Sequence, residues 1–336
     1  MNKREKILNI LNLKSSGYCG FWTGNPHPET EELYLAQEGL STSEQLYTRL
    51  DDDCRWIFTE GLAYRHPEGK PCFDINFGVE RKSLGSAGPF AQCEDVREVE
   101  RFPWPDTAYV DVRSALDIVR SHQDKAVFSG FWCPFFHLVA DLFGMEYYFT
   151  KMYTDPDVVD AVTERVMDFY LEANEIYFKA AGDSFDTFFF GNDFGTQRDL
   201  FISPELFKRF VFPHFQKLID QAKRYGKKVM LHSCGSIYKV IPLLIEAGVD
   251  GLHPIQALAT GMSADKLVQF KSELAFMGGI DTQDLLINAT PSQVRDEVLR
   301  LREVLGPNLI VSPSHEAILP NVPIDNIIAM AYAAKE

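Results

Sequence analysis

The sequence predicts a (β/α)8 TIM barrel, an α/β fold, formed as a single domain over residues 1–336. Eight short apolar segments alternate with stretches of helical periodicity, and eight parallel strands are the number that closes this barrel. A chain of 336 residues also accommodates the roughly 250 residues of such a barrel together with insertions. The alternative is a doubly wound open sheet, which is less favoured because no GxGxxG motif follows a predicted strand.

Each predicted strand is a short apolar run that ends in small or polar residues, as buried parallel strands do. The predicted strands are 18–23, 55–59, 126–131, 187–191, 228–232, 251–255, 274–278 and 309–312. The clearest predicted helices are 155–181, 203–225, 236–247, 290–305 and 323–335. The first of them begins at Asp155-Pro156, a capping residue followed by a first-turn proline. The segment 61–106, rich in glycine, proline and aromatic residues, is predicted to be an inserted, hairpin-bearing loop after the second strand, over one mouth of the barrel.

Composition and charge exclude several classes of partner. The chain has 33 basic and 48 acidic residues and a net charge of −15, whereas nucleic acids and anionic membrane surfaces are bound by clustered Lys and Arg. The six cysteines are scattered singly, without a CxxC pair, and the charged N-terminal residues are unlike a signal peptide. We therefore expect a cytoplasmic protein with free thiols that binds neither nucleic acid nor membrane.

Polar side chains collect where the predicted strands end, and in this barrel the chemistry lies at the C-terminal ends of the strands. The candidate residues are Trp22 and Asn25 after the first strand, Asn192 and Asp193 after the fourth, His232 and Cys234 after the fifth, His253 and Gln256 at the sixth, and His315 and Glu316 after the eighth. We expect these side chains to converge at one mouth of the barrel.

The most specific local motif is His232-Ser233-Cys234, followed by Gly235. Residues two apart on a strand point to the same face, so an imidazole and a thiolate at this spacing can converge on one zinc ion. Gly235 then allows a sharp turn into the next helix. The alternative is a buried histidine that is hydrogen-bonded to a carbonyl beside a small apolar cysteine.

A catalytic zinc takes three protein ligands and keeps one position open. No cysteine follows Cys234, so the third ligand must be a histidine or a carboxylate, and the eighth strand offers His315 and Glu316. Adjacent residues on a strand face opposite sides, so only one of the two is expected to point inward. For His315 the alternative is an exposed loop position.

Asp193 emerges from the apolar run Phe188-Phe189-Phe190 and is flanked by Gly191 and Gly195. A carboxylate in this position is a general acid or base, a substrate anchor, or a cap for the following turn. The glycines on both sides favour a functional loop.

Several of these segments resemble the uroporphyrinogen decarboxylase superfamily, and the similarity extends from about residue 126 onward. The segments that carry it are 191–215, 228–256, 278–286 and 312–330. The resemblance implies a (β/α)8 barrel with its site at the mouth, in agreement with the strand count.

One branch of that superfamily decarboxylates the acetate arms of uroporphyrinogen without a cofactor, and arginines that follow its first strand grip the carboxylates. The corresponding stretch here runs from Trp22 to His27, and no arginine occurs between Arg4 and Arg49. Bidentate guanidinium groups are what a polycarboxylate requires. The sequence therefore argues against this branch.

The other branch contains zinc methyltransferases that move a methyl group from a corrinoid protein to a thiol such as coenzyme M. Their zinc is held by a His-x-Cys pair on the fifth strand, which His232 and Cys234 match, and by a cysteine on the last strand. That cysteine is absent here, and its position falls at Glu316, next to His315. This departure leaves the acceptor open, with tetrahydrofolate or another compound as alternatives to a thiol.

The resemblance implies a zinc-dependent methyltransferase that uses Zn²⁺ and a corrinoid carried by a partner protein, with a small-molecule methyl acceptor. The expected metal ligands are His232, Cys234 and Glu316, the expected catalytic residues Asp193 and His315, and the expected substrate-binding residues Trp22, Asn25, Asn192, Gln256 and His253. One alternative is a cofactor-free decarboxylase of uroporphyrinogen-like tetrapyrroles, and another is a non-catalytic corrinoid- or substrate-binding protein. Whether the protein forms a homodimer stays open.

Overall fold

The computed structural model describes residues 1–73, 83, 85–315 and 317–336, and it contains the predicted parallel barrel. The barrel strands, β1 to β8 in chain order, are Gly20–Phe21, Cys54–Trp56, Ala126–Ser129, Thr187–Gly191, Lys228–His232, Gly251–Ile255, Ala275–Ile280 and Leu309–Pro313. Each strand from β2 to β7 pairs in parallel with the next strand in the chain, and β8 pairs in parallel with β1. The (β/α)8 fold class is thus confirmed.

Side-chain carboxylates complete the barrel between β1 and β2. The Asp53 amide donates to the Phe21 carbonyl over 3.0 Å, and Asp53 Oδ2 accepts from the Phe21 amide over 2.9 Å. Asp52 Oδ1 accepts from both the amide and the hydroxyl of Thr23, at 3.0 and 2.6 Å. These carboxylates satisfy the N–H groups of Phe21 in β1 and of Thr23 just beyond it, which a longer second strand would otherwise pair.

The helices lie around the sheet and agree with the predicted periodicity. The α-helices α1 to α16 are Lys3–Leu11, Pro28–Glu38, Ser43–Arg49, Thr59–Ala63, Val96–Glu100, Arg113–Ser121, Phe135–Phe143, Met145–Thr154, Pro156–Ala181, Pro204–Leu206, Phe212–Arg224, Ile241–Ala247, Ala264–Leu267, Leu285–Asn288, Pro291–Leu305 and Ile324–Ala333. The helix predicted over 203–225 contains a π-helical turn, Phe207–Val211, just before Pro213. A proline lacks the N–H of the regular ladder and its ring clashes with the carbonyl four residues earlier, which explains the wider turn.

The predicted insertion over 61–106 is described only in part, since 74–82 and 84 lie outside the described residues. Its described part includes α5, and Tyr64 forms an isolated antiparallel bridge with Val110, which lies just beyond the segment. It packs against α7 and α8, where the Gly88 amide donates to the Phe143 carbonyl and Lys151 Nζ donates to the Cys93 carbonyl. The described part of the insertion contains no paired strands, and the predicted hairpin stays a prediction.

The barrel interior is a separate apolar cluster that supports the mouth from below. Ile7 and Ile10 of α1 are completely buried and close the N-terminal end of the barrel against Met277 and Ile310. At the other end Phe189 packs edge-on against the tryptophans, with ring centroids 5.6 Å from Trp56 and 5.5 Å from Trp132. This rigid aromatic layer fixes the floor on which the strand-end residues stand. In the described ranges of the chain, no helix has the length and apolar character to span a bilayer.

Candidate metal and acceptor site

Three side chains from neighbouring strands converge at the C-terminal mouth. Asp193 lies two residues beyond β4, His232 ends β5, and Cys234 lies two residues beyond β5. The parallel register pairs Gly191 with His232, which brings the two loops side by side. One ligand atom from each of the three residues lies within 4.8 Å of the other two.

The two donor separations that involve His232 suit a tetrahedral metal. His232 Nε2 lies 3.5 Å from Cys234 Sγ and 3.4 Å from Asp193 Oδ1. Zinc bonds of about 2.0 Å to nitrogen and oxygen and about 2.3 Å to sulfur would separate tetrahedral donors by about 3.5 Å for N···S and about 3.3 Å for N···O. An imidazole, a thiol and a carboxylate are also ligands that zinc takes. The residues present therefore fit a zinc ion.

Asp193 is ionised at neutral pH. Burial would raise its pKa, but His232 and the Cys234 amide outweigh burial and hold the pKa of this carboxyl at about 2. The Cys234 amide donates to Asp193 Oδ1 over 2.7 Å, which also fixes the carboxylate against the Cys234 loop. A carboxylate with so low a pKa suits a metal ligand better than the general acid or base that the sequence suggested.

His253 lies behind His232 and contacts its other ring nitrogen. The two Nδ1 atoms are 3.0 Å apart, and the His253 residue is only 1% exposed between Trp22 and Phe189. Burial and the nearby His232 and His315 hold the pKa of His253 well below its usual value, so its ring is neutral. If His232 Nε2 binds the metal, the ring proton of His232 is on Nδ1, and His253 Nδ1 can accept a hydrogen bond from it. His253, predicted to bind substrate, is better placed to orient His232.

Two glycines allow the Asp193 and Cys234 loops to approach backbone to backbone. A Cβ built on Gly235 would lie 2.2 Å from the Gly195 carbonyl oxygen, and Gly235 has a left-handed φ of +82°. A Cβ on Gly195 would lie 2.7 Å from the Ser236 carbonyl oxygen. Close approach of the two loops therefore requires both glycines, and the left-handed turn also requires Gly235.

Gly235→Ala is expected to separate the two loops and weaken metal binding. The substitution combines a left-handed strain of roughly 1–2 kcal/mol with a backbone clash that only loop movement can relieve. Gly17→Ala is the matched control, because Gly17 has the same φ of +82° with open space around the added Cβ. Urea unfolding should show a small stability loss for Gly17→Ala and a larger one for Gly235→Ala, and zinc titration should show a weaker zinc affinity for Gly235→Ala alone. Equal zinc affinity in the two variants would contradict the role given to the close approach.

A cavity of about 450 Å³ adjoins the cluster at the same mouth. It is lined by Gln197, Gln256, Leu258, Asp281, Thr282, Gln283, Ile287, Ser314, His315, Ala317 and Leu319. Gln256 joins the cavity to the metal cluster, since its Oε1 accepts from the Gly235 amide over 2.8 Å. The cavity has the size and the mixed polar and apolar lining of a small-molecule site.

The remaining predicted site residues are divided between the mouth and the interior. Trp22 packs inside the barrel with its residue 3% exposed, and Asn25 lies at the cavity rim, where its backbone pairs with Ala317. Asn192 is fully buried, and its amide group bonds the Phe136 N–H and the Cys133 carbonyl, so it shapes the loop after β3. Glu316, the third ligand suggested by the resemblance, lies outside the described residues.

One more histidine, His137, lies beside the metal cluster, although the search of the strand ends did not indicate it. His137 Nε2, on α7, lies 3.9 Å from Asp193 Oδ2, and burial lowers the pKa of this imidazole. A neutral imidazole beside the cluster can accept a proton. The only sequence signal was a histidine soon after a predicted strand, which is not specific.

The fold and the site define a barrel protein with a candidate metal centre and an adjoining small-molecule cavity at the C-terminal ends of its strands. The chain belongs to the uroporphyrinogen decarboxylase (URO-D) family, whose model matches residues 78–336. The resemblance seen in the sequence is thereby confirmed.

Two similar proteins are both methyltransferases from Methanosarcina mazei. A methylated-thiol–coenzyme M methyltransferase is 27% identical over 139 residues, which are 40% of this chain and 34% of that protein. The match thus spans about a third of the curated relative's length. A solved structure described as a methyltransferase superposes with a TM-score of 0.68 at 15% identity, over 99% of this chain and 98% of the other, and it shares the fold.

Proposed function

We propose that the protein is a zinc-dependent methyltransferase that moves a methyl group from a corrinoid carried by a partner protein to a thiol. The observation that carries this proposal is the cluster of Asp193, His232 and Cys234, whose donor separations of 3.4 and 3.5 Å suit a tetrahedral zinc. The methyltransferases among the similar proteins support it. In this proposal Asp193 is the third ligand, while Glu316, the third ligand that the resemblance implies, lies outside the described residues and stays a prediction.

The chain's own residues bind and orient the reactants. His232, Cys234 and Asp193 would hold the metal, and His253 keeps the His232 ring in place through the 3.0 Å contact between their Nδ1 atoms. A zinc ion bound there would lower the pKa of an acceptor thiol and so raise the fraction of thiolate. Gln256 and His315 line the adjoining cavity and would orient the rest of the acceptor.

The methyl transfer requires no further oxidant or reductant. The acceptor sulfur attacks the methyl carbon, a carbon–sulfur bond forms, and the cobalt–carbon bond breaks. Both electrons of that bond stay on the corrinoid, whose cobalt passes from Co(III) to Co(I). The thiol proton leaves during this process, and His137 Nε2, 3.9 Å from Asp193 Oδ2, is the candidate acceptor of that proton.

Methylcobalamin and a thiol supplied to the purified protein test this function. The expected result is loss of the methylcobalamin absorption with formation of the matching thioether. The assay also separates the alternatives: conversion of uroporphyrinogen would point to the decarboxylase, and corrinoid binding without turnover would point to a binding protein. Either of these outcomes, without thioether formation, would overturn the proposal.

A further inference from the structure

Two of the described lining residues of the cavity beside the cluster, Asp281 and His315, can carry a charge. Among its described lining residues Asp281 is the single carboxylate, and there is no lysine or arginine. The Asp281 carboxylate is fixed in place, because it accepts from the amides of Gln283, Asp284 and Leu285 at 3.1, 2.8 and 3.0 Å. The position of this carboxylate on the cavity wall is therefore fixed.

Two arginines near the cavity in space or in the chain, Arg300 and Arg198, do not line it. Arg300, which lies near Asp281 in the adjacent groove, pairs with Glu297 at 2.7 Å and with Asp265 at 3.8 Å. Arg198 follows Gln197 in the chain but does not line the cavity. A sulfonate, phosphate or carboxylate entering the cavity would lose water without gaining a guanidinium or ammonium partner, and it would face Asp281.

The rest of the lining suits an uncharged or cationic molecule. Leu258, Ile287 and Leu319 offer apolar contact for methylene groups, while Gln197, Gln256 and Ser314 offer neutral hydrogen-bonding groups. An ammonium group would be attracted to Asp281, and a hydroxyl would be bonded by the amides.

We propose that this cavity takes a methyl acceptor whose non-reacting part is uncharged or cationic, and that it discriminates against anionic thiols. That the acceptor is a thiol rests on the proposed function. The preference for an uncharged or cationic acceptor rests on the lining of the cavity alone. It separates this chain from a protein that uses coenzyme M, since coenzyme M is a sulfonate.

Three thiols of equal length test the charge preference: 2-mercaptoethanol, cysteamine and 2-mercaptoethanesulfonate. Their S-methyl thioethers have no thiol to ionise, so ligand-observed NMR titration of these thioethers measures the preference of the cavity independently of turnover. We expect the neutral and cationic thioethers to bind at least about tenfold more tightly than the sulfonate, with the same order in KM of the thiols. Equal or tighter binding of the sulfonate would overturn the inference. If the binding order holds but no thiol is methylated, the charge inference stands and the proposed function fails.

A positive charge added at the rim of the cavity tests whether the charge preference of the ligands arises there. Leu319 lines the cavity and is 54% exposed, so Leu319→Lys adds a cation there without disturbing the core. Leu33→Lys is the matched control, because Leu33 is 44% exposed on α2 and does not line the cavity. We expect Leu319→Lys to tighten binding of the sulfonate thioether about tenfold relative to the neutral one, and Leu33→Lys to leave the ratio unchanged. An unchanged ratio in Leu319→Lys would overturn the assignment.

Discussion

Cys234→Ala is expected to lower the rate of methyl transfer from methylcobalamin to a thiol by about 10³-fold. The substitution removes the sulfur that lies 3.5 Å from His232 Nε2 and leaves two candidate donors, one fewer than a catalytic zinc site takes. Stabilisation by a bound metal is worth several kcal/mol, and each 1.4 kcal/mol is a factor of ten in rate. The rate of thioether formation under saturating thiol measures the effect.

Cys72→Ala is the matched control for this loss. Cys72 and Cys234 are the two partly exposed cysteines of the chain, and the other four are buried. Cys72 lines the groove beside Trp104 rather than the metal cluster, so its alanine variant should keep the parent activity. Full activity in Cys234→Ala, or an equal loss in both variants, would exclude Cys234 from the reaction.

Asp52→Ala is expected to destabilise the fold by about 3–5 kcal/mol. Asp52 accepts from Thr23 across the junction of β1 and β2 and bonds Arg55 Nη1 over 3.0 Å, with both charged side chains nearly buried. Burial raises the pKa of Asp52 to about 6, so the carboxyl is ionised at pH 7.5. Removing it leaves the buried Arg55 guanidinium with Glu44 as its remaining carboxylate partner, and leaves a buried N–H without an acceptor. Urea unfolding at pH 7.5 measures the loss.

Asp124→Ala controls for the loss of any acidic residue near this junction. Asp124 is 66% exposed and pairs with Lys125 at 2.9 Å, so its removal should cost less than about 1 kcal/mol. A similar cost for the two variants would show that Asp52 does not complete the barrel as described.

The fold could be predicted because parallel strands buried on both faces are continuous apolar runs. The bounds predicted for 187–191, 228–232 and 251–255 coincide with β4, β5 and β6. The first two strands are shorter than predicted, with only Gly20–Phe21 and Cys54–Trp56 in the ladder. The carboxylates of Asp52 and Asp53 act there in place of strand pairing, and no hydropathy pattern indicates such bonds.

The site could be predicted only where its residues are close in the chain. His232 and Cys234 are two residues apart, so the strand repeat alone indicates that they converge. Asp193 lies 39 residues before His232, and its contact depends on the register of β4 with β5 and on the close approach of Gly195 and Gly235. His137 could not be found by searching strand ends, because it lies on α7.

The zinc content of the purified protein tests the central claim most directly. We predict about one zinc per chain in the parent protein and in Glu316→Gln, and less than about a tenth of that in Asp193→Ala and Cys234→Ala, because both ligand variants keep only two of the three donors. Circular dichroism of each variant would confirm that the barrel is folded. A zinc-free parent protein with full methyl-transfer activity, or a folded Cys234→Ala variant that keeps one zinc per chain, would contradict the account.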